Sequence, residues 1–154
     1  MKKFTKYFVI ILIVLLFLIQ LVPVARTNPP VTSNIETPAE VKTIIKRACY
    51  DCHSSESTWP WYSKIAPSSW FVINHVNEAR DEYNFSTWDK YSPEKKSEII
   101  EEIWEEVDEG KMPLWSYVIL HPEAKLSAED KKVIYSWAKE HITHENSEEN
   151  EHED

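Results

Sequence analysis

Cys49-Tyr50-Asp51-Cys52-His53 contains both cysteines of the 154-residue chain, three positions apart, with a histidine directly after the second. This is the C-x-x-C-H signature of c-type haem attachment. On a helical turn, residues i and i+3 face the same way, so both thiols can reach the two vinyl groups on one edge of a porphyrin. The histidine that follows can turn its imidazole under the ring and bind iron as the proximal ligand. Other uses of such a pair fit less well. A thioredoxin-like redox pair sits in a βαβ pattern, and this chain has almost no strand-like alternation. A zinc site needs four ligands, and the only other close pair, His141 and His144, lies far away at the edge of a polar tail. A disulfide between Cys49 and Cys52 would close a very small loop and stabilise little.

The N-terminus bears on the compartment. Lys2, Lys3 and Lys6 precede Phe8–Ala25, 18 residues in which Gln20 is the only plainly polar side chain. As one helix, that run would be about 27 Å long, close to the thickness of a bilayer core. A cleaved signal peptide has a shorter apolar region and a small-residue cleavage site, and Pro23-Val24-Ala25 imitates one poorly. The sequence therefore predicts an uncleaved transmembrane anchor over residues 8–25, in preference to a signal. The lysines before the span put the N-terminus inside. The expectation is a single-pass protein of the bacterial cytoplasmic membrane with its domain facing the periplasm or outside, where c-type haem is attached.

Beyond residue 26 the chain is acidic. It holds 13 Lys/Arg (17 minus Lys2, Lys3, Lys6 and Arg26) and all 26 Asp/Glu, a net charge of −13. This argues against nucleic acid as a partner and suits docking to a basic redox partner. One glycine against seven tryptophans disfavours hairpin-rich β folds, which need glycine in their turns. Short helices packed with large aromatic side chains fit better. A domain of about 110 residues is small enough for an apolar macrocycle to be a large share of its core.

Residues 27–37, with Pro29 and Pro30, read as an extended linker. Thr37-Pro38-Ala39-Glu40 carries an N-cap, a first-turn proline and a capping box. It predicts a helix from Pro38 through Ala48 that delivers Cys49 and Cys52 on its last turn. Lys46 and Arg47, just before the cysteines, are candidates to pair with haem propionates. Ser68 or Ser69 caps a second helix from Trp70 to about Tyr83, and Phe85, Trp88 and Tyr91 fall in the connection after it. Ser92-Pro93-Glu94 opens a third, with Ile99, Ile100, Ile103, Trp104 and Val107 at helical period, stopped by Gly110. Tyr117–Pro122 reads as a short helix or turn. Ser127 caps a last helix with Val133, Ile134, Trp137 and Ala138 inward, able to pack across the first. Residues 143–154 are acidic and without an apolar side chain, and are expected to be disordered.

Two loops supply further candidates. Trp59-Pro60-Trp61-Tyr62 is punctuated by proline. Its aromatics Trp59, Trp61 and Tyr62 are candidate haem-pocket residues, since a porphyrin edge is a large apolar surface for them to cover. Met112, the only methionine besides Met1, follows Gly110 and precedes Pro113. A thioether favours ferrous iron, and His/Met ligation raises the potential of cytochromes c. Met112 is the preferred distal ligand, with His75 and His121 as alternatives.

Cys49-Tyr50-Asp51-Cys52-His53-Ser54, Trp59-Pro60-Trp61-Tyr62-Ser63, Met112-Pro113-Leu114 and His121-Pro122-Glu123-Ala124 together resemble the small bacterial haem-binding domain family, related in organisation to class I cytochromes c. The resemblance covers about residues 38–140. It implies covalent haem on Cys49 and Cys52 with His53 as axial ligand; Met112 is carried over by analogy with cytochromes.

The expectations are therefore as follows. The fold is all-α, a small cytochrome c-like helical domain over residues 38–142, between the anchor (1–26) and linker (27–37) and the acidic tail (143–154). It holds one haem c per chain and carries single electrons rather than acting as an enzyme. Its partners are redox proteins and the haem-attachment machinery, with the membrane contacted through residues 8–25. The competing reading is a haem-based redox or gas sensor, or a peroxidase-like enzyme, with an open distal site.

Overall fold

In the computed structural model, the backbone is described over residues 2–151 and the side chains over 3–141. Within these residues the chain is helical, with no β-strand and a single isolated bridge between Ser33 and Thr87.

Helix α1 is Lys2–Ile19. Its first turns carry Lys2, Lys3 and Lys6, which leaves thirteen residues, Tyr7 to Ile19, as its apolar length. That is about 20 Å of helix, against a bilayer core of about 30 Å. The expected transmembrane anchor over residues 8–25, and with it the single-pass membrane protein, therefore fails. Among the described residues no helix is long and apolar enough to cross a membrane. The helix stops short because Gln20, the polar residue in the apolar run, turns to the body of the protein. Its side-chain amide donates to the Ala66 carbonyl at 3.0 Å and accepts from the Ala66 N–H at 2.9 Å. Pro23 then disfavours helix at the residue before it.

Residues 26–37 are not a free spacer. They form a strap laid along the domain. Arg26 donates to the Ser63 carbonyl, Asn28 to that of Ser57, Thr32 N–H to Ser86 and Ile35 N–H to Phe85. Ile35 is buried. Fixed backbone partners, rather than proline content, decide the fate of this segment.

Helix α2 is Ala39–Ala48. Its N-cap is Pro38, without a side-chain cap hydrogen bond, so the expected Thr37 capping box does not form. Val41, Ile44, Ile45 and Ala48 make its buried face, as their spacing requires. A short helix α3, Tyr50–His53, follows at once. Helix α4 is Ser68–Glu82, capped by Pro67 rather than a serine. Helix α5 is Pro93–Asp108; Ser92 Oγ accepts from Lys95 N–H at 3.3 Å, the cap its sequence predicts. Helices α6 (Trp115–Leu120) and α7 (Ala128–Glu151) complete the fold. Ser127 and Asp130 cap α7 reciprocally: the Asp130 carboxylate accepts from Ser127 N–H and Oγ–H, and Ser127 Oγ accepts from Asp130 N–H. The α7 backbone runs on to Glu151, where a disordered tail is expected from residue 143. That stretch is rich in glutamate and has no proline or glycine to end a helix. The last residues of the tail lie outside the described residues.

Helix α7 packs on α5 and α2, so the last helix does lie against the first helix of the domain. An ion pair from Arg47 to Asp130 (2.9 Å) and a hydrogen bond from Lys131 to the Val107 carbonyl (2.7 Å) fasten it at both sides. The core joins α2, α5 and α7 to Tyr83, Phe85 and Trp88. These three come from the connection after α4, and Phe85 is fully buried.

Candidate functional site

The cysteines stand where α2 ends. Cys49 is the C-cap of α2, at φ −123° and ψ −32°, and its carbonyl accepts from the N–H groups of Cys52 and His53 at 3.1 and 2.9 Å. Cys49 thus closes the last turn of α2, its N–H donating to the Ile45 carbonyl at 2.9 Å, whereas Cys52 and His53 come from a separate turn, α3, set off from α2 by a kink at Cys49. The sequence suggested both cysteines on the last turn of α2, and only Cys49 is there. The two sulfurs are free. Burial pushes both thiols up, Cys49 to about 12 and Cys52 to about 11, the latter helped by the Asp51 carboxylate. Among the described residues, no group of three or more His, Cys, Asp or Glu could hold a metal ion by itself.

His53 is buried, with its ring stacked on Tyr83 at 4.2 Å and 16°. Burial lowers its pKa to about 4, against a smaller opposing pull from the carbonyls of Tyr83 and Ala79. The imidazole is therefore neutral, the form that binds metal. Its Nδ1 is buried without a hydrogen-bond partner.

Behind this turn lies a polar shell that the sequence reading missed. Ser54 Oγ donates to the Tyr50 carbonyl at 2.7 Å, and Ser55 N–H donates to Ser86 Oγ at 3.0 Å. Asn84 Nδ2 donates to Ser55 Oγ, and Asn84 Oδ1 accepts from Ser86 N–H. Arg80 on α4 ties the shell to the strap. It donates to the carbonyls of Ser54 and Thr27 (both 2.8 Å), to Asn28 Oδ1 (3.1 Å) and to Ser57 Oγ (2.8 Å), and its guanidinium lies over the Trp59 ring. The run Ser54-Ser55-Glu56-Ser57 straight after the histidine was the available signal, since such side chains bond to nearby backbone groups.

In front of the turn is a cleft of two lobes. The larger, about 340 Å³, is lined by Cys49, Cys52, His53, Tyr83 and Met112 among others. The smaller, about 230 Å³, is lined by Asp51, Cys52, Trp59, Tyr62, Phe71 and Leu120 among others. The lobes meet at Cys52, His75, Leu114 and Tyr117. Met112 reaches the cleft because of the chain's single glycine. Gly110 takes φ +72°, and the N–H groups of Gly110 and Lys111 return to the carbonyls of Val107 and Glu106. This is a Schellman turn, and it swings the next residue back toward α3.

The other candidates divide. Trp59 and Tyr62 line the smaller lobe, whereas Trp61 lines neither lobe and is 70% exposed. His75 borders both lobes, and its Nδ1 contacts the Phe71 carbonyl at 2.8 Å. His121 lines neither lobe. Its Nε2 is 2.9 Å from Tyr62 Oη and its Nδ1 is 3.1 Å from Glu123, so both ring nitrogens are engaged. Arg47 is paired with Asp130, and Lys46 lies over the Tyr50 ring. Neither lines the cleft.

The donor set fits haem. A buried neutral imidazole with an unpartnered nitrogen, two unbonded thiols and a thioether share the wall of a largely apolar cleft, as an iron porphyrin with two vinyl groups requires. Comparison with known families agrees. The model of a family described as a haem-binding domain matches residues 14–140, from inside α1 into α7. No curated protein and no solved structure matches the chain.

Proposed function

This chain belongs to the haem-binding domain family and binds haem, and from that premise we propose that it carries single electrons on one covalently attached c-type haem. Cys49 and Cys52 are the attachment residues, each S–H adding across a vinyl group with the help of the haem-attachment machinery. His53 is the proximal ligand and Met112 the distal one. The observation that carries this reading is that the cavity wall presents both thiols, His53 and Met112 together.

When bound, the haem supplies a one-electron couple between ferric and ferrous iron. The protein's own residues set the conditions for it. The stack on Tyr83 holds His53 in orientation, and burial keeps its imidazole unprotonated. The thioether of Met112 favours the ferrous state. With His53 and Met112 both holding the iron, a substrate would find no place on it, and the protein would act as a carrier rather than an enzyme. Glu78, Glu82, Glu102 and Glu106 border the larger lobe, and the net charge of −13 beyond residue 26 suits an encounter with a redox protein of basic surface.

The test is an absorption spectrum of protein from cells that attach c-type haem, oxidised and reduced. The expected result is a c-type spectrum that survives denaturing extraction, with a sulfur-to-iron charge-transfer band in the oxidised form. Cys49→Ala with Cys52→Ala should abolish covalent haem, and Met112→Ala should abolish the band alone. Haem that extracts freely from the wild-type protein would overturn covalent attachment.

A further inference from the structure

The distal segment after Met112 is weakly held. Helix α6 packs on the turn that follows it, Pro122–Ala124, and Trp115, Ile119 and Leu120 are exposed. One side chain ties it to the opposite wall. Tyr117 Oη donates to Asp51 Oδ2 at 2.7 Å, among the described residues the only hydrogen bond between α6 and α3. Asp51 lies between the two thiol positions, and its other oxygen accepts from Thr58 N–H at 2.8 Å, so the acceptor is fixed on the proximal wall. The donor is fixed as well. The Tyr117 ring stacks on His121 at 4.3 Å and 15°, and His121 is held by Tyr62 and Glu123. Burial and the hydrogen bond to Asp51 raise the Tyr117 pKa, so the hydroxyl remains a donor. Tyr117 borders both lobes at their junction.

We propose that Tyr117 is a positioning residue: latched to Asp51, it closes the distal segment Met112–Leu120 over the cleft and holds Met112 at ligating distance. This rests on the reading of Met112 as distal ligand. It assigns the hold on Met112 to a hydrogen bond across the mouth of the cleft, not to packing beneath the loop. Tyr117→Phe removes that bond and keeps the ring stack on His121.

The experiment uses the haem-loaded protein and measures the rate of CO binding to its ferrous form, beside the charge-transfer band of the ferric form. Tyr117→Phe should keep its haem and its unfolding midpoint, yet bind CO about tenfold faster. That is the factor corresponding to about 1.4 kcal/mol, the upper end of one hydrogen bond's net contribution. Asp51→Ala should do the same, and the double variant should add little to either single change. A Tyr117→Phe protein that binds CO at the wild-type rate, while Met112→Ala speeds it, overturns the latch and leaves Met112 as ligand. So does a double variant whose effect is the product of the two single ones. Wild-type protein without the band, already binding CO as fast as Met112→Ala, overturns both.

Discussion

The two walls of the cleft are built by different means. The proximal wall, α3 with the serine shell behind it, is mostly buried, and its serines are bound to backbone, Ser86, Asn84 or Arg80, while Tyr50 Oη and His53 Nδ1 are left without a partner. The distal wall, Met112 to Leu120, is half-exposed and positioned by a glycine turn and the Tyr117 latch. The contrast fits what each wall would do in the proposed function. Covalent attachment would require two sulfurs and an imidazole in fixed relation, which rewards a rigid support. A thioether ligand would need only to be brought close. Stability should therefore concentrate behind His53, and the distal wall should be cheap to alter.

The most severe way to break this contrast is Phe85→Ala. Phe85 is fully buried, stacks on Tyr50 and tilts against Tyr83 with ring centroids 5.4 Å away in each case, and donates its N–H to the His53 carbonyl at 2.8 Å. Truncation leaves a cavity beneath the proximal wall, with an expected loss of about 3–5 kcal/mol. A denaturant midpoint measures it.

Arg80→Ala should come next. It removes donors to two carbonyls, an amide and a hydroxyl and detaches the strap. A loss of about 2 kcal/mol is expected, the scale of one hydrogen bond to a charged group after solvent screening. Amide exchange should quicken at Thr32 and Ile35, whose N–H groups the strap places on Ser86 and Phe85. Arg80→Lys should recover only part, because an ammonium cannot reach partners spread as a planar fork. Unchanged exchange in Arg80→Ala would show that the strap is held by its backbone alone.

The legibility of this molecule in its sequence follows the same division. Cys49, Cys52 and His53, which the structure brings to one cavity wall, were picked out because the chemistry of haem attachment would demand one local spacing. The caps Ser92 and Ser127 and the stop at Gly110 were legible for the same reason. Phe85, Trp88 and Arg80 were not, because they act through contacts with residues far along the chain and carry no periodicity of their own. Residues 8–25 misled because composition gives the length of an apolar run but not where the helix within it ends. Gln20 ends this one by finding Ala66, 46 positions away. Trp61 was read as pocket-facing with Trp59 because both lie in one loop, and the turn Trp61–Lys64 sends one ring outward.

A smaller effect is expected at the outer support of the proximal wall. Asp130 on α7 pairs with Arg47, two residues before Cys49. Burial acts to raise its pKa, but hydrogen bonds from Ser127 and the pairing with Arg47 outweigh it, and the carboxyl sits below its ordinary value. The unfolded chain then binds a proton more readily than the folded one. The contribution is therefore full above the ordinary aspartate pKa of about 4 and is lost as pH falls through the lower folded value. Asp130→Asn should remove this part of the acid sensitivity, at a cost near neutral pH of about 0.5–1 kcal/mol. Acid unfolding curves for the two proteins that stay parallel below pH 4 would show that the pair contributes nothing.

The smallest expected effect belongs to the distal wall and is the most informative about it. Ile119 is 67% exposed, on the side of α6 away from its latch. Ile119→Ala leaves the Tyr117 hydroxyl, the stack on His121 and the Schellman turn untouched, and removes side-chain atoms that are mostly in water already. The change in stability should stay within about 0.5 kcal/mol, and the charge-transfer band should not move. If the wall is held through its edge at Tyr117, the outer face of α6 can vary without disturbing Met112. A loss of several kcal/mol, or a weakened band, would mean that the outer face is itself buried against something, and that packing as well as the latch closes the cleft.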